Sequence, residues 1–334
     1  MTPLAPHLTA FLRERLARER QASPHTCDSY AYAFQLLLAF AAQRLGTRPS
    51  SLALEQIDEP LVLAFLDHLE TVRGNCPRSR NTRLAAIKSF ARFVEYRAPA
   101  CVQQVHRLLA IPSKKTDETL VGYLTREEMQ AVLDAPNPGT RDGIRDRAML
   151  HLAFAAGLRV SELVGLLLEE LVFQPQPAVR VRGKGRRERV LPLWKTTATA
   201  LRAWLSKRGG AACPELFLNA RGGPLSRAGF EYILAKHVAV ATDKLPALKK
   251  KRISPHVLRH TCAMHTLQAT HDIRKVALWL GHASIQTTEI YVRADPTEKL
   301  AAIDAVLPPE LRRGRFSAPD KLIASLRPPK KGPD

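Results

Sequence analysis

Apolar residues recur at helical spacing through most of the first hundred positions of the chain. The first amphipathic segment covers residues 8–18. A second begins at Ser23 and Pro24, a typical N-cap followed by a first-turn proline, and ends at Gly46. A third covers residues 61–69. This pattern predicts a small helical bundle at the start of the chain.

A fourth predicted helix, residues 78–96, has one apolar and one basic face. The apolar face carries Leu84, Ile87, Phe90, Phe93 and Val94, and the basic face carries Arg78, Arg80, Arg83, Lys88 and Arg92. A basic face on a helical bundle suits a nucleic-acid groove. The candidate DNA-binding residues are therefore Arg78, Arg80, Arg83 and Lys88. For any single arginine, an ordinary solvated position explains the pattern equally well.

Helical periodicity then stops. The segment 107–122 is polar, charged and proline-bearing, which is typical of a linker between domains. We therefore predict a helical N-terminal domain at 1–106 and a second domain at 123–307. A basic tail rich in proline and lysine follows at 308–334.

The second domain mixes helices with a few short strands. Its first helix carries a capping box formed by Thr125 and Glu128. Short segments bounded by turn residues predict strands at 171–173, 179–182 and 189–193. The turn 183–186 joins the last two strands, and the chain is helical again after Ser226. The predicted fold is mainly α with a small antiparallel β-sheet.

Charge makes a nucleic acid the leading partner. The chain has 51 Lys and Arg against 31 Asp and Glu, a net charge of +20 and a pI near 10.2. Such a surplus repels itself unless a polyanion neutralises it. A generally basic surface is the alternative explanation.

Other sequence features argue against a membrane or metal protein. No apolar stretch is long enough to cross a bilayer, and the first ten residues do not match a secretion signal. The cysteines form no C-x-x-C pair and lie at Cys27, Cys76, Cys101, Cys213 and Cys262. Free thiols are typical of a reducing cytoplasm, where we expect the protein to act without a metal or other cofactor.

Arg159 follows a helix of small and apolar residues that Gly157 closes. At such a turn a guanidinium offers a planar fork matched to phosphate oxygens, and Ser161 is available to cap the next helix. A surface arginine paired with Glu162 is the alternative interpretation.

His256 and Arg259 lie three residues apart near the start of a helix that Pro255 opens, where the helix dipole attracts anions. His256 and His260 also suggest a metal pair. However, Val257 stands where a zinc-protease helix has glutamate, so a metal is not expected.

Asp272 caps a helix that Gly281 closes, and His282 projects just past its end. Ser284 can then cap a last short helix that leads to Tyr291. A lone histidine or tyrosine is more often a core or surface residue than a catalyst. The order and spacing of the whole set decide the matter.

One set of residues, taken in order and spacing, resembles the catalytic set of the tyrosine recombinase (phage integrase) family: Arg159, Lys184, His256, Arg259, His282 and Tyr291. The resemblance is strongest to Xer-like recombinases and to integrases of bacterial mobile elements. It covers nearly the whole chain and implies a helical, SAM-like core-binding domain, a linker and an α+β catalytic domain. The tail after about residue 308 exceeds the compact Xer-like pattern.

The resemblance implies that Tyr291 attacks a DNA phosphodiester, leaving a 3′-phosphotyrosyl link and a free 5′-hydroxyl without metal or cofactor. The charge that builds on the phosphate would be stabilised by Arg159, Arg259 and His282. His256 would assist proton transfer at the tyrosine, and Lys184 would protonate the departing 5′-oxygen.

In the family, four protomers act around two double-stranded DNA segments clamped between the domains, pass through a Holliday junction and exchange C-terminal helices. Residues 296–306 resemble the donated helix, with an apolar face formed by Leu300, Ile303 and Val306. Packing of this helix within its own chain is the alternative. The resemblance leaves open whether the tetramer contains one kind of chain or also a partner recombinase.

We therefore expect a site-specific recombinase that acts in DNA integration or in transposition of a mobile element. Xer-type chromosome dimer resolution is one alternative, and a type IB topoisomerase, which reseals the same strand, is another. A non-catalytic DNA-binding accessory protein is the third, and the complete catalytic set argues against it.

Overall fold

The computed structural model describes residues 1–117, 120–183, 188–209, 213–282 and 284–295. The chain divides into two compact units, Met1–Glu118 and Thr119–Asp334, and each has a hydrophobic core of its own. Helices dominate both units, and the second also contains one small antiparallel sheet. The predicted fold class is confirmed. Over the described ranges, no helix is long and apolar enough to cross a membrane.

The N-terminal unit is entirely helical over its described residues, apart from short connections. Its helices are α1 (Leu4–Ala10, continued by a π-helical segment Phe11–Glu19), α2 (Pro24–Leu45), α3 (Glu59–Thr71), α4 (Pro77–Val94) and α5 (Val102–Ala110). Ser23 caps α2 by accepting a hydrogen bond from the Thr26 N–H, and Gly46 ends it in the left-handed conformation. The predicted start and end of this helix are confirmed.

Phe11 lies at the centre of the N-terminal core and is 1% exposed. Its ring lies 6.1 Å from that of Phe34 on α2 and 5.4 Å from those of Phe90 and Phe93 on α4, measured between centroids. Each such buried aromatic side chain contributes about 1.5–3 kcal/mol of transfer free energy. The first helical segment is therefore held against α2 and α4.

The basic face predicted for α4 is only partly a surface. Arg80 is buried, and its Nη1 donates to the main-chain carbonyl of Pro112 at 3.1 Å. Lys88 is half-buried, and its Nζ donates to the carbonyl of Leu109 at 2.7 Å. The expectation that Arg80 faces outward is wrong, because its charge is covered by the segment that follows α5.

The other cations of this face differ in exposure. Arg78 and Arg92 are exposed, whereas Arg83 is half-buried with its guanidinium 4.8 Å from the ring centre of Tyr32. Of the four candidate DNA-binding residues, Arg78 is thus the one that is exposed.

Helix α5 extends into the segment predicted to begin a linker at residue 107. Leu108 and Ile111 are buried in the N-terminal core, which keeps this part of the chain within the first unit. Apolar residues recur at helical spacing at Val102, Val105 and Leu108, so the sequence did contain the signal for this helix, and the predicted boundary at 107 cuts through it.

The described part of the second unit contains eight helices around the sheet. They are α6 (Arg126–Leu133), α7 (Arg141–Ala155), α8 (Val160–Val164), α9 (Lys195–Arg208), α10 (Arg227–Lys244), α11 (Pro255–Thr270), α12 (Ile273–Leu280) and α13 (Glu289–Ala294). The predicted capping box of α6 is present, with Thr125 and Glu128 exchanging side-chain to backbone hydrogen bonds. It is confirmed.

The sheet is antiparallel with strand order β1 (Leu171–Val172), β2 (Ala178–Arg182) and β3 (Glu188–Pro192). Val181 pairs with Arg189 across β2 and β3, while Val179 and Leu191 are buried in the core. The three predicted strands are confirmed to within two residues. Most of the predicted turn between β2 and β3, including Lys184, lies outside the described residues.

A buried charged cluster fixes α7 in this unit. The Asp146 carboxylate accepts hydrogen bonds from Arg145 and lies 2.8 Å from Nε2 of His237 on α10. Burial alone would raise the pKa of Asp146, but these hydrogen bonds outweigh it and lower the pKa. The pairing anchors the helix that leads directly to Gly157 and Arg159.

Candidate active site

Arg259, on the second turn of α11, connects two other segments of the candidate site. Its side chain is buried, with Nη1 donating to the carbonyl of Gly157 and Nη2 donating to that of Leu280 at 2.8 Å. Burial, followed by the nearby charge of Arg159, lowers the pKa of Arg259 to about 10, so the guanidinium still carries its charge at neutral pH. A guanidinium has five N–H donors, which leaves three for an anion.

The turn after α7 requires glycine at position 157. Gly157 has a φ of +56°, and a Cβ atom there would lie 2.7 Å from Cδ2 of Leu280. This close approach brings the end of α7 and the end of α12 to the same guanidinium. The sequence feature that closes the helix therefore also shapes the site.

Arg159 is the N-cap residue of α8, and Ser161 lies inside that helix. The cap is provided by Glu162, whose Oε2 accepts from the Arg159 N–H at 3.0 Å. The expectation that Ser161 caps the helix is wrong, because the helix begins two residues earlier and the longer glutamate reaches back to its first N–H groups.

The Glu162 carboxylate is buried between two arginines. It accepts from Nη1 of Arg159 at 2.8 Å and from Nη2 of Arg189, on β3, at 2.8 Å. Burial opposes ionisation of Glu162, but hydrogen bonds and charge from Arg189 and Arg159 outweigh it and lower the pKa of the carboxyl group. Arg159 thus has the Glu162 partner that the alternative interpretation named, and this partner restrains its guanidinium.

Tyr291 lies on α13 and is 1% exposed. Its hydroxyl oxygen is 3.0 Å from Nδ1 of His260, and its ring stacks nearly parallel on that of His282 at 6.5 Å between centroids. Burial raises the pKa of Tyr291 to about 12, while the charges of Arg259 and Arg159 act in the opposite direction. The phenol is therefore protonated at neutral pH and lies within the field of both arginines.

His282 follows Gly281, which ends α12 in the left-handed conformation as predicted. Its Nδ1 lies 2.8 Å from Oγ1 of the buried Thr288. Burial, and then the charges of Arg259 and Arg159, lower the pKa of His282 to about 4. A neutral imidazole at this position adds a hydrogen-bond donor without adding positive charge.

The structure thus brings together four of the six sequence-predicted residues: Arg159, Arg259, His282 and Tyr291. His256 is exposed at the edge of the group, with its ring 6.4 Å from that of His260. Lys184 lies outside the described residues. Within those residues, no group of three or more His, Cys, Asp or Glu side chains is arranged to hold a metal ion.

Three residues of the site were missed as functional residues by the sequence analysis. Glu162 was considered only as a surface partner of Arg159, His260 only as a member of a metal pair, and Arg189 not at all. His260 lies one helical turn after His256, and this spacing was the available signal. No local pattern could have shown Arg189, because its partner Glu162 lies 27 residues away.

Comparison with known proteins identifies the family. The sequence model of the phage integrase family matches residues 122–298, and that of the phage integrase N-terminal SAM-like domain matches residues 8–97. The protein is a tyrosine recombinase, a class of enzyme that cleaves and rejoins DNA through a phosphotyrosine intermediate. It belongs to the phage integrase family.

Curated relatives support this assignment along almost the whole chain. The chain is 46% identical over 323 residues to the "Putative integrase/recombinase y4rC" of Sinorhizobium fredii, covering 97% of each protein. It is also 35% identical over 310 residues to the tyrosine recombinase XerC of Pelobacter propionicus, covering 92% of this chain and 97% of the relative. The family predicted from the catalytic set is confirmed.

Solved structures share the fold. The XerH site-specific recombinase bound to palindromic difH substrate aligns with a TM-score of 0.69 at 22% identity, covering 89% of this chain and 85% of XerH. The Tn1549 transposon integrase in complex with transposon right end DNA aligns with a TM-score of 0.67 at 16% identity, covering 90% and 99%.

Proposed function

We propose that this protein is a site-specific recombinase that integrates or transposes a mobile DNA element, with Tyr291 as its nucleophile. The observation that carries the proposal is the buried Tyr291 hydroxyl, which lies within the field of Arg159 and Arg259 and beside His282. The role in a mobile element is supported by the 46% identity to a relative described as an integrase/recombinase. Xer-type chromosome dimer resolution is the second candidate, favoured by the 35% identity to XerC.

The reaction begins when the Tyr291 oxygen attacks the phosphorus and the bond to the 5′-oxygen breaks. Charge then builds on the non-bridging oxygens, where the forks of Arg159 and Arg259 donate hydrogen bonds. Losing one such donor costs about 3 kcal/mol of transition-state stabilisation. His282 adds a further donor, and the neutral state of its ring is consistent with that role.

Two proton transfers complete the scheme. His256, at the exposed edge of the site, is the histidine that the family resemblance assigns to proton transfer at the tyrosine, and Lys184 protonates the departing 5′-oxygen. The link conserves the energy of the broken bond, so a second 5′-hydroxyl can attack it to rejoin the strands without ATP. Two such rounds pass through a Holliday junction.

The substrate is double-stranded DNA, and the acting assembly is a tetramer that exchanges C-terminal segments. The net charge of +20 supports DNA as the substrate. The exchange is supported by a mainly apolar groove of about 430 Å³ on the second unit, lined in part by Met129, Leu133, Phe154, Trp194 and Trp279. We assign this groove to residues 296–306 of a second copy or of a partner recombinase, whose apolar positions match it in chemistry. The assembly works on chromosomal or element DNA in the cytoplasm.

The exchange is tested with Ile303→Asp. We expect it to leave DNA binding and first-strand cleavage measurable while abolishing junction products, because a charge cannot enter the apolar groove. Tyr232→Asp, at a site that is already exposed, is the control. Wild-type junction formation by Ile303→Asp would show that residues 296–306 do not bind in this groove.

A nicked suicide substrate tests the nucleophile. The wild-type protein should form a covalent protein–DNA adduct that survives denaturation, and Tyr291→Phe should form none while binding the same DNA with an unchanged Kd. An adduct formed by Tyr291→Phe would show that another residue attacks the phosphate.

Lys184 is tested with a leaving group that needs no proton. Lys184→Ala should slow cleavage of ordinary DNA and recover on a 5′-bridging phosphorothiolate. Equal impairment on both substrates would remove Lys184 from the acid role.

The topoisomerase alternative is tested with supercoiled DNA. Relaxation of supercoils by the monomer, without junction products, would indicate a topoisomerase.

The biological role is tested by sequencing DNA that is covalently trapped in cells. Recovery of the ends of a mobile element supports integration or transposition. Recovery of one chromosomal site, the same in all of the trapped DNA, supports dimer resolution instead.

A further inference from the structure

His260 is the residue whose side chain meets the nucleophilic oxygen. Its Nδ1 lies 3.0 Å from the Tyr291 hydroxyl, and the two rings pack edge to face with centroids 5.6 Å apart. His256, the histidine that the family resemblance assigns to proton transfer, is one turn earlier on α11 and exposed. The two histidines therefore differ in what they can reach.

The surroundings of His260 keep its ring neutral. It is half-buried in the site, and burial lowers its pKa to about 4, with smaller contributions from His256 and Arg259. The phenol of Tyr291, in contrast, retains its proton at neutral pH. A protonated phenol can donate to an unprotonated Nδ1, which is the arrangement required before proton transfer.

We propose that His260 is a catalytic residue that accepts the proton of Tyr291 as the phosphodiester is attacked. This role rests on the proposed function of Tyr291. As the bond from the tyrosine oxygen to phosphorus forms, the phenol proton moves to Nδ1 of His260. The bond from phosphorus to the 5′-oxygen breaks, and that oxygen takes a proton from the general acid Lys184.

Rejoining runs through the same groups in reverse. The incoming 5′-hydroxyl gives its proton to Lys184 and attacks phosphorus, and the imidazolium of His260 returns its proton to the departing phenol oxygen. The positive charge that His260 acquires lies close to Arg259 and His256, and both of these groups oppose its protonation. Return of the proton is therefore favourable, and His260 regains its neutral state after each cycle.

Two substitutions separate proton acceptance from simple positioning. His260→Asn places an amide oxygen near the position of Nδ1, so it can hold the phenol but cannot take its proton. His260→Ala removes both properties. We expect each to lower the single-turnover rate of adduct formation on the suicide substrate by about 10²–10⁴-fold, the usual contribution of a general base. The Kd for DNA should stay unchanged.

Chemical rescue supplies a readout that a structural role would not affect. Added imidazole should restore part of the rate to His260→Ala, and more basic substituted imidazoles of similar size should restore more. His271→Asn, at the exposed left-handed C-cap of the same helix, is the matched control and should cleave at the wild-type rate with no response to imidazole.

Several outcomes would overturn the assignment. Wild-type cleavage by His260→Asn would mean that the contact only positions the phenol. Faster cleavage by His260→Ala would mean that the contact restrains Tyr291. Absence of imidazole rescue in folded, DNA-binding His260→Ala would also exclude proton acceptance. These results are distinct from failure of the proposed function, which would show as an adduct formed by Tyr291→Phe.

Discussion

The guanidinium of Arg189 on β3 donates to the carboxylate of Glu162 on α8 at 2.8 Å. The same carboxylate accepts from Arg159, so one buried acid holds an arginine of the candidate site and joins the sheet to α8. A Cβ atom at Gly281 would also lie 3.0 Å from Nη1 of Arg189, which places Arg189 against the turn that carries His282. Three sequence-distant segments thus meet at this pair.

We expect Glu162→Gln to reduce adduct formation on the suicide substrate by about 10–100-fold, a cost of about 1.4–2.8 kcal/mol. A neutral amide cannot accept from both guanidinium groups as strongly, so Arg159 loses its orientation. Single-turnover cleavage measures the effect. Glu169→Gln, at an exposed position of the same segment, is the control and should cleave normally.

Gly157→Ala should destabilise the second unit and slow cleavage together. Its Cβ would press on Leu280, whose carbonyl accepts from Arg259. Gly222→Ala isolates the backbone cost, because Gly222 also has a positive φ, +80°, but has nothing within 4 Å of the added atom. The expected loss of unfolding free energy is about 1 kcal/mol for Gly222→Ala and 1–3 kcal/mol more for Gly157→Ala. Equal losses would contradict the packing argument.

The second unit should lose stability between pH 6.5 and about pH 4. Burial lowers the pKa of His151 on α7 from 6.5 to about 4. As the pH falls below 6.5 the unfolded chain binds a proton that the folded chain does not, so stability is fully present above 6.5 and lost below it. For His151 the full loss corresponds to about 3 kcal/mol.

His151→Leu tests this by removing the titrating group. The unfolding free energy of this variant should fall less steeply from pH 7 to pH 4 than that of the wild type. Tryptophan fluorescence is the measurement, since Trp194, Trp204 and Trp279 all lie in the second unit and its signal reports that unit alone. His271→Asn is the control, and identical slopes for His151→Leu and wild type would contradict the prediction.

Arg78 and Arg80 should respond differently to alanine. Arg78→Ala removes an exposed cation and should weaken DNA binding at low salt while lowering the slope of log Kd against log salt by about 1. Arg80→Ala should instead destabilise the N-terminal unit by about 1–3 kcal/mol, because Pro112 loses its hydrogen-bond partner. Amide hydrogen exchange in α4 and a salt titration distinguish the two. Weaker DNA binding by Arg80→Ala without any loss of protection would assign it to the interface.

Local features of the fold were predictable because their causes are local. Ser23, Thr125 and Asp272 each cap a helix through a backbone N–H two or three residues away, so a short stretch of sequence contains both partners. The strands and the helix-ending glycines at 46 and 281 follow from similarly short patterns. The candidate catalytic residues were recognised through their order along the chain, which a family keeps even where each motif is weak.

The errors and omissions concern partners that are distant in sequence. Arg80 has the spacing of a surface residue, but a carbonyl 32 residues later covers it. His260 contacts the Tyr291 hydroxyl although the two residues are 31 positions apart in the sequence. Which of His256 and His260 contacts the hydroxyl depends on how α13 packs on α11. Periodicity predicts which face of a helix is polar, and only the tertiary structure shows what that face meets.

The two main-chain bonds of Arg259 have a practical consequence for preparing inert enzyme. A lysine at this position would keep a charge but could not hold the carbonyls of Gly157 and Leu280 with one planar group. An inactive Arg259 variant would therefore lose phosphate stabilisation and also displace the main chain at Gly157 and Leu280. A structure of its DNA complex would not separate these two effects. Tyr291→Phe removes a single oxygen and leaves the hydrogen bonds from Arg259 to both carbonyls in place. It is therefore the better variant for capturing the complex with uncut DNA.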